Sequence, residues 1–240
     1  MKQIIILLII FLSNGLIAQN TFIYQFSAKE NQNAKSGILA DVITSAPDPV
    51  EYIYLVNEKK ASFKPELKIN NSQTNQIDLL KISVKSLGEY FYDYDKKEIE
   101  NKIEFSNKEY IVTSNFDDLH WIDMNESEKI NGYQTKKYIT KRKEKGLTKD
   151  KIYTTTIWID ESHPQDIAPF GLMGLKGLIV KVNFNGGNDL TLVKIDEEKS
   201  KDIQPLKAKN RIKKVEYQTI IDEQMETLRN KRQERLNFKD

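Results

Sequence analysis

Apolar residues in this chain fall in short alternating or aromatic bursts separated by polar turns, and they sustain no helical period until the last thirty or so positions. Residues 21–26 (TFIYQF) are dense in β-formers and predict a first strand. Residues 37–44 (GILADVIT) predict a second, closed off by Pro47 and Pro49. Val50–Val56 (VEYIYLV) alternates as a half-buried strand should. Residues 70–76 (NNSQTNQ) are the most loop-like stretch. A meander rhythm follows, with strand candidates at 79–84, 89–94, 102–105, 109–113, 120–124, 133–140, 152–160, Leu178–Phe184 and 190–195. Short strands at such spacing favour antiparallel pairing over βαβ units.

Two hairpins stand out. Asn185-Gly186-Gly187-Asn188-Asp189 joins the last two strands, and Asn and Gly accept the positive φ of tight hairpin turns. The other joins 133–140 to 152–160 through a connection carrying Lys141, Arg142, Lys143, Lys145, Lys149 and Lys151. No aromatic interleaves these charges, so the connection reads as a solvated tip rather than a polyanion site. Near the C-terminus Tyr217, Ile220, Ile221, Met225 and Leu228 make one apolar stripe at helical spacing, expected to pack on the sheet. Acidic residues early and basic residues late in that segment suit the helix dipole. The expected fold is mostly β (α+β): a single curved antiparallel sheet or half-barrel with a C-terminal amphipathic helix. Its expected parts are a targeting segment at 1–18, an antiparallel β domain at 19–206, and a basic linker with the helix at 207–240.

The first eighteen residues have the layout of a secretory signal peptide. Lys2 is the charged end, residues 4–12 are an unbroken apolar run, and Ala18 is the small residue at the cut. Nine apolar residues fall short of the roughly 20 that cross a bilayer as a helix. Cleavage after Ala18 would leave Gln19 first, and the chain is expected to be exported to the periplasm or outer membrane, or secreted.

Composition narrows the partners. The 37 basic and 35 acidic residues nearly cancel, to a net +2, which argues against nucleic acid and against particular membrane affinity. No later run is apolar and long enough to be an integral membrane span. There is no cysteine, so disulfides and lipoprotein acylation are both closed. Ten Phe, eleven Tyr and two Trp suit a packed β protein.

Chemistry-bearing patterns are sparse. His120 follows Asp117-Asp118, and His163 follows Asp160-Glu161. Two distant histidines without cysteine make a poor ligand set, so no metal is expected. There is no G-x-S-x-G, G-x-G-x-x-G or G-x-x-x-x-G-K-[ST], so no catalytic residue and no cofactor is assigned. The unusual segment is Gly171-Leu172-Met173-Gly174-Leu175-Lys176-Gly177-Leu178-Ile179. A strand follows it, where a phosphate cradle would need a helix. It therefore reads as a tight apolar crossover closing one end of the sheet, with Trp158 and Phe170 as packing partners.

Gly174-Leu175-Lys176-Gly177-Leu178-Ile179 resembles the motif that names the GLPGLI family of exported Bacteroidetes proteins. Trp158, the Pro169-Phe170 pair, Trp121 and Lys129-Ile130-Asn131-Gly132-Tyr133 resemble the family's other recurrent elements. The resemblance spans about residues 119–195; Lys176 departs from it where the motif has proline, and Gln134-Thr135 stand where many members carry a cysteine. The family's function is unknown, so it implies structural roles only, at Trp158, Pro169, Phe170, Gly174, Leu175, Gly177, Leu178, Ile179, Gly132 and Tyr133.

Three functions fit these observations. One is a non-enzymatic envelope module that binds an apolar ligand or assembles with an envelope partner. Another is a periplasmic hydrolase using Asp or Glu with His. The third is a ligand-free scaffold.

Overall fold

The computed structural model describes residues 19–27, 49–66, 88–146, 148–198 and 202–237. The expected signal segment, the strand candidates at 37–44 and 79–84, and the loop at 70–76 lie outside the described residues.

Twelve strands among the described residues form a single open sheet. They are β1 (Gln19–Ser27), β2 (Val50–Val56), β3 (Lys60–Glu66), β4 (Glu89–Asp93), β5 (Glu98–Phe105) and β6 (Lys108–Asn115), then β7 (Ile122–Ile130), β8 (Tyr133–Glu144), β9 (Lys151–Asp160), β10 (Leu178–Phe184), β11 (Asn188–Glu198) and β12 (Asn210–Lys213). Helix α1 (Lys214–Asn237) ends the described chain. The spatial order is β12-β6-β5-β4-β3-β2-β1-β11-β10-β9-β8-β7. The first described strand thus lies in the middle, the strands run outward to β6, the chain crosses to the far edge at β7, and the strands return until β11 pairs with β1.

Two strands escape the sequence pattern. In β3, Ala61 and Phe63 are fully buried on one face, but Lys60, Lys64, Pro65 and Glu66 hide that alternation. The other, β12, lies inside the segment expected to be a basic loop, and it pairs parallel to β6 in an otherwise antiparallel sheet. Four residues of mixed polarity become a strand because the β6 edge supplies their partners.

The sheet bends around the connection between β9 and β10. Ile167 bridges to Leu178 on β10, while the neighbouring Ala168 carbonyl accepts a hydrogen bond from Tyr92 on β4. Those strands are five places apart in the sheet, about 24 Å if it were flat. Adjacent residues touch both because the face curves inward. That concave face carries the main core: Phe22, Tyr24 and Phe26 of β1, Tyr52 and Tyr54 of β2, Phe63 of β3, Tyr92 of β4, and Ile157, Ile159, Val180, Val182, Leu190 and Leu192 opposite.

A second, smaller cluster sits on the other face, where Ile203 and Leu206 cover Ile53, Leu55 and Phe91. From β11 to β12 the chain must pass seven strand spacings, roughly 34 Å. The described part of that connection, residues 202–209, is a strap laid across this face. Glu100, almost fully buried, fastens this strap by accepting from the Leu206 amide at 3.2 Å and from the Arg211 guanidinium.

Helix α1 does not lie across the sheet as its apolar stripe suggests. Tyr217 packs edge-on to Phe105 of β5 and tilted against Tyr110 of β6, at 5.9 and 6.2 Å. Ile220, Ile221 and Met225 are only half buried, and Leu228 is 48% exposed. The helix leaves the sheet at this edge and meets the tip of the β8–β9 hairpin.

Candidate functional site

Residues 161–177 form the crossover, and the signature residues divide around it. Pro169, Phe170 and Gly171 make a short 3₁₀ turn in which Phe170 holds φ +55° and Gly171 φ +69°. A non-glycine residue in that region is strained. Phe170 is kept there by a cage of rings, with centroids 4.9 Å to Phe63, 5.1 Å to Tyr52, 5.4 Å to Phe184, 6.0 Å to Tyr90 and 6.2 Å to Phe26. Ile167, Ala168, Leu172 and Met173 are buried with it. The crossover therefore fills the concavity of the sheet and does more than close one end.

Buried tyrosines bind the plug to the wall. Tyr92 donates to the Ala168 carbonyl at 2.8 Å and accepts from the Gly171 amide at 3.0 Å. Tyr94 donates to Asp166 O at 2.7 Å, and Tyr24 to Ile179 O at 2.7 Å. Tyr54 meets Tyr94, hydroxyl to hydroxyl, at 3.1 Å. Burial pushes the Tyr24, Tyr54 and Tyr92 phenols well above their usual range, so they act as neutral donors and not as proton carriers.

The glycines fit through lack of space. Gly177 has φ +116°, and a Cβ there would lie 2.3 Å from the Asp160 carbonyl oxygen. Its amide donates to Asp166 Oδ1 at 3.0 Å, and its carbonyl accepts from Ile167 at 2.9 Å. At Gly174, φ is +107° and a Cβ would meet the Trp121 indole nitrogen at 3.3 Å. Trp121 Nε1 donates to Met173 O at 2.9 Å, pinning the start of β7 onto the plug. Leu175 is half buried against the core, and Leu178 and Ile179 are buried in it.

Trp158 and Phe170 are not packing partners. On β9, Ile157 and Ile159 point into the core, so Trp158 points to the opposite face. There the ammonium groups of Lys137 and Lys181 lie 5.9 and 5.2 Å from its ring centroid. Gly132 and Tyr133 lie at the β7–β8 turn, where Asn131 has φ +49° and Gly132 φ +91°. Asn131 Nδ2 bonds to Leu192 O at 2.9 Å, and Tyr133 packs half buried on the core.

The hydrolase constellation is not assembled. His120 is exposed. His163 sits edge-on to Phe22 at 5.7 Å, and its Nδ1 lies 2.8 Å from the Gln165 carbonyl, within its own loop. Glu161 accepts from Lys136 at 2.7 Å and from Tyr138 at 2.5 Å. Lys136 first, then Tyr138, hold the Glu161 carboxyl below its ordinary range. In return Glu161, then burial, push the Tyr138 phenol up to about 12. A carboxylate held ionised by two donors is a weak base. Among the described residues, no group of three His, Cys, Asp or Glu is placed to hold a metal ion.

A second constellation joins α1 to the β8–β9 tip. Arg229 donates through Nε to the Gly146 carbonyl and through Nη2 to Asp150 Oδ1, both at 2.6 Å. Lys145 reaches Glu226 at 3.2 Å, and Lys143 reaches the other Asp150 oxygen at 3.1 Å. Sequence reading placed this hairpin in solvent. Its helix partner lies about eighty residues away, and no local pattern signals the contact.

No family model matches the chain, and no curated protein matches it. Among solved structures, two crystal forms of PNGF-II, in space groups C2 and P21, align over 85% of this chain at 18% identity and a TM-score of 0.46. The chain spans 32% and 33% of those PNGF-II chains. A putative outer membrane lipoprotein-sorting protein domain from Vibrio parahaemolyticus aligns over 79% of this chain and 88% of its own, at 12% identity and a TM-score of 0.27. Among the described residues, no helix is long and apolar enough to cross a membrane.

Proposed function

We propose that this protein is an exported, non-enzymatic module of the cell envelope, of the GLPGLI kind, that works through its surface and does not enclose an apolar ligand. In this reading the sheet is a half-barrel packed by its own crossover. The observation that carries it is the Phe170 plug: five aromatic rings surround one side chain in the space an apolar ligand would take. A carrier needs an apolar cavity of several hundred cubic ångströms. The signal-like segment at 1–18 and the GLPGLI-like motif at 174–179 support this reading of location and family.

Native mass spectrometry of the protein recovered from an expressing bacterium tests this. The expected species begins at Gln19 and carries no lipid. A stoichiometric lipid adduct would replace the surface reading with a carrier, and an intact Met1 would remove export.

A further inference from the structure

We propose that the junction of the β8–β9 tip and helix α1 is an anion site for a small phosphomonoester. The two elements flank an open cleft of about 270 Å³, lined by Lys145, Thr148, Lys151, Tyr153, Met225 and Arg232. Residues 141–151 bring six basic and two acidic side chains, and 222–235 bring four of each, ten against six. The whole chain carries only +2, so the positive charge is concentrated here.

Pairing leaves particular cations over. Glu144, which also lines the cleft, is paired with Arg142. Asp150 is taken by Lys143 and Arg229, and Glu226 by Lys145. Lys151 and Arg232 have no ion-pair partner among the described residues, and both face the cleft. Arg229 is the positioning residue. Its hold on Gly146 and Asp150 sets the helix face carrying Met225 and Arg232 against the hairpin.

The chemistry of the lining selects the ligand class. The Arg232 guanidinium fork with the Lys151 ammonium matches a phosphate bearing two charges. Between them, the Met225 thioether and the Tyr153 ring give an apolar floor for a sugar or polyol. The volume takes a phosphate with a small substituent and excludes a folded partner. The same group occurs on soluble sugar phosphates and on lipid headgroups.

The experiment uses the full mature chain at low salt. Glucose 6-phosphate is titrated calorimetrically, and sedimentation is measured with phosphatidylcholine vesicles with and without phosphatidic acid. Binding is expected to one of these probes and to weaken as salt rises. Arg232→Gln and Lys151→Gln should each weaken it about tenfold or more, while melting with the parent. Lys64→Gln, an exposed lysine on β3, should bind as the parent does. A response to glucose 6-phosphate identifies the soluble source, and a response to phosphatidic acid vesicles alone identifies the headgroup. Binding to neither probe, or binding that survives both cleft substitutions, overturns the site.

Discussion

The crossover and the C-terminal arm are both long connections laid on one sheet, one on each face, and different physics holds each. The crossover is fixed by burial. Phe170 and Met173 are almost fully enclosed, and two tyrosine hydroxyls, of Tyr92 and Tyr94, tie its carbonyls to β4 and the residue that follows it. The arm is fixed by a few polar anchors. Glu100 holds the strap, and Arg229 holds the helix; among the described residues of the arm only Ile203 is buried, and α1 is half exposed. Buried contacts gain from a low local dielectric and lose heavily when broken. Exposed ion pairs contribute little and are screened by salt. The crossover is thus a structural keystone, while the arm rests on anchors that solvent can reach.

The sharpest way to break that contrast is Gly177→Val. A side chain there must enter the 2.3 Å gap to the Asp160 carbonyl and adopt φ +116°. Strain of roughly 1–3 kcal/mol adds to overpacking of roughly 1–3 kcal/mol or more. Total stability is only about 5–15 kcal/mol, so the variant should melt more than about ten degrees below the parent or fail to fold. Gly177→Ala should fall between. Equal melting of Val and parent would make the crossover a loose loop.

Alkali should dissolve the plug as a unit. The Tyr24, Tyr54 and Tyr92 phenols are raised in the folded state, chiefly by burial. Their contribution is therefore complete below the unfolded value of about 10, and it is lost as pH rises toward the folded values. Ultraviolet titration should show this buried set ionising only together with loss of the β-sheet circular dichroism signal. Smooth ionisation of all eleven tyrosines near pH 10 in a still-folded chain would contradict this burial.

Tyr92→Phe asks how much one hydroxyl contributes. It removes the donor to Ala168 and the acceptor for Gly171, leaving two interior backbone groups unpaired. The expected loss is roughly 2–4 kcal/mol, about five to fifteen degrees of melting. Arg229→Gln is the counterpart on the arm. It should lower the melting midpoint by no more than about two degrees, because exposed ion pairs weigh little. Hydrogen exchange should nonetheless accelerate in α1 and in 141–151, because the anchor between them is gone. Unchanged exchange would mean the apolar stripe holds the helix without Arg229.

Much of the sheet was legible because its strands carry their own signals. VEYIYLV alternates, and Asn185-Gly186 marks its turn. The β7–β8 turn was legible only as part of the family-like element, although Asn131-Gly132 is the strongest of hairpin dipeptides. What stayed hidden depends on distant partners. β12 needs the β6 edge, and the Tyr24 hydroxyl finds its acceptor 155 residues away. Phe170 was paired with the wrong aromatic, since Trp158 is near in sequence but lies on the other face of β9. The glycines were legible as necessary, and the carbonyl that makes Gly177 necessary was not.

Lys176→Pro has the smallest expected effect and refines the comparison most. The residue is exposed, between Leu175 and the fixed Gly177 amide, and no hydrogen bond holds its own amide among the described residues. Proline there costs no native bond and narrows the unfolded ensemble, a stabilisation of roughly 0.4–1 kcal/mol where φ is compatible. That is a rise of one to four degrees for a chain of this size, about the scatter of careful melting experiments at its lower end. The substitution also introduces the residue that the GLPGLI motif, which this segment resembles, carries at this place. If the crossover is the rigid keystone described, its backbone already has the shape the proline needs, and melting rises or stays level. A fall of several degrees would show that this chain's crossover takes a backbone path the proline-bearing motif does not. The resemblance would then hold for the glycines and leucines but not for the turn between them.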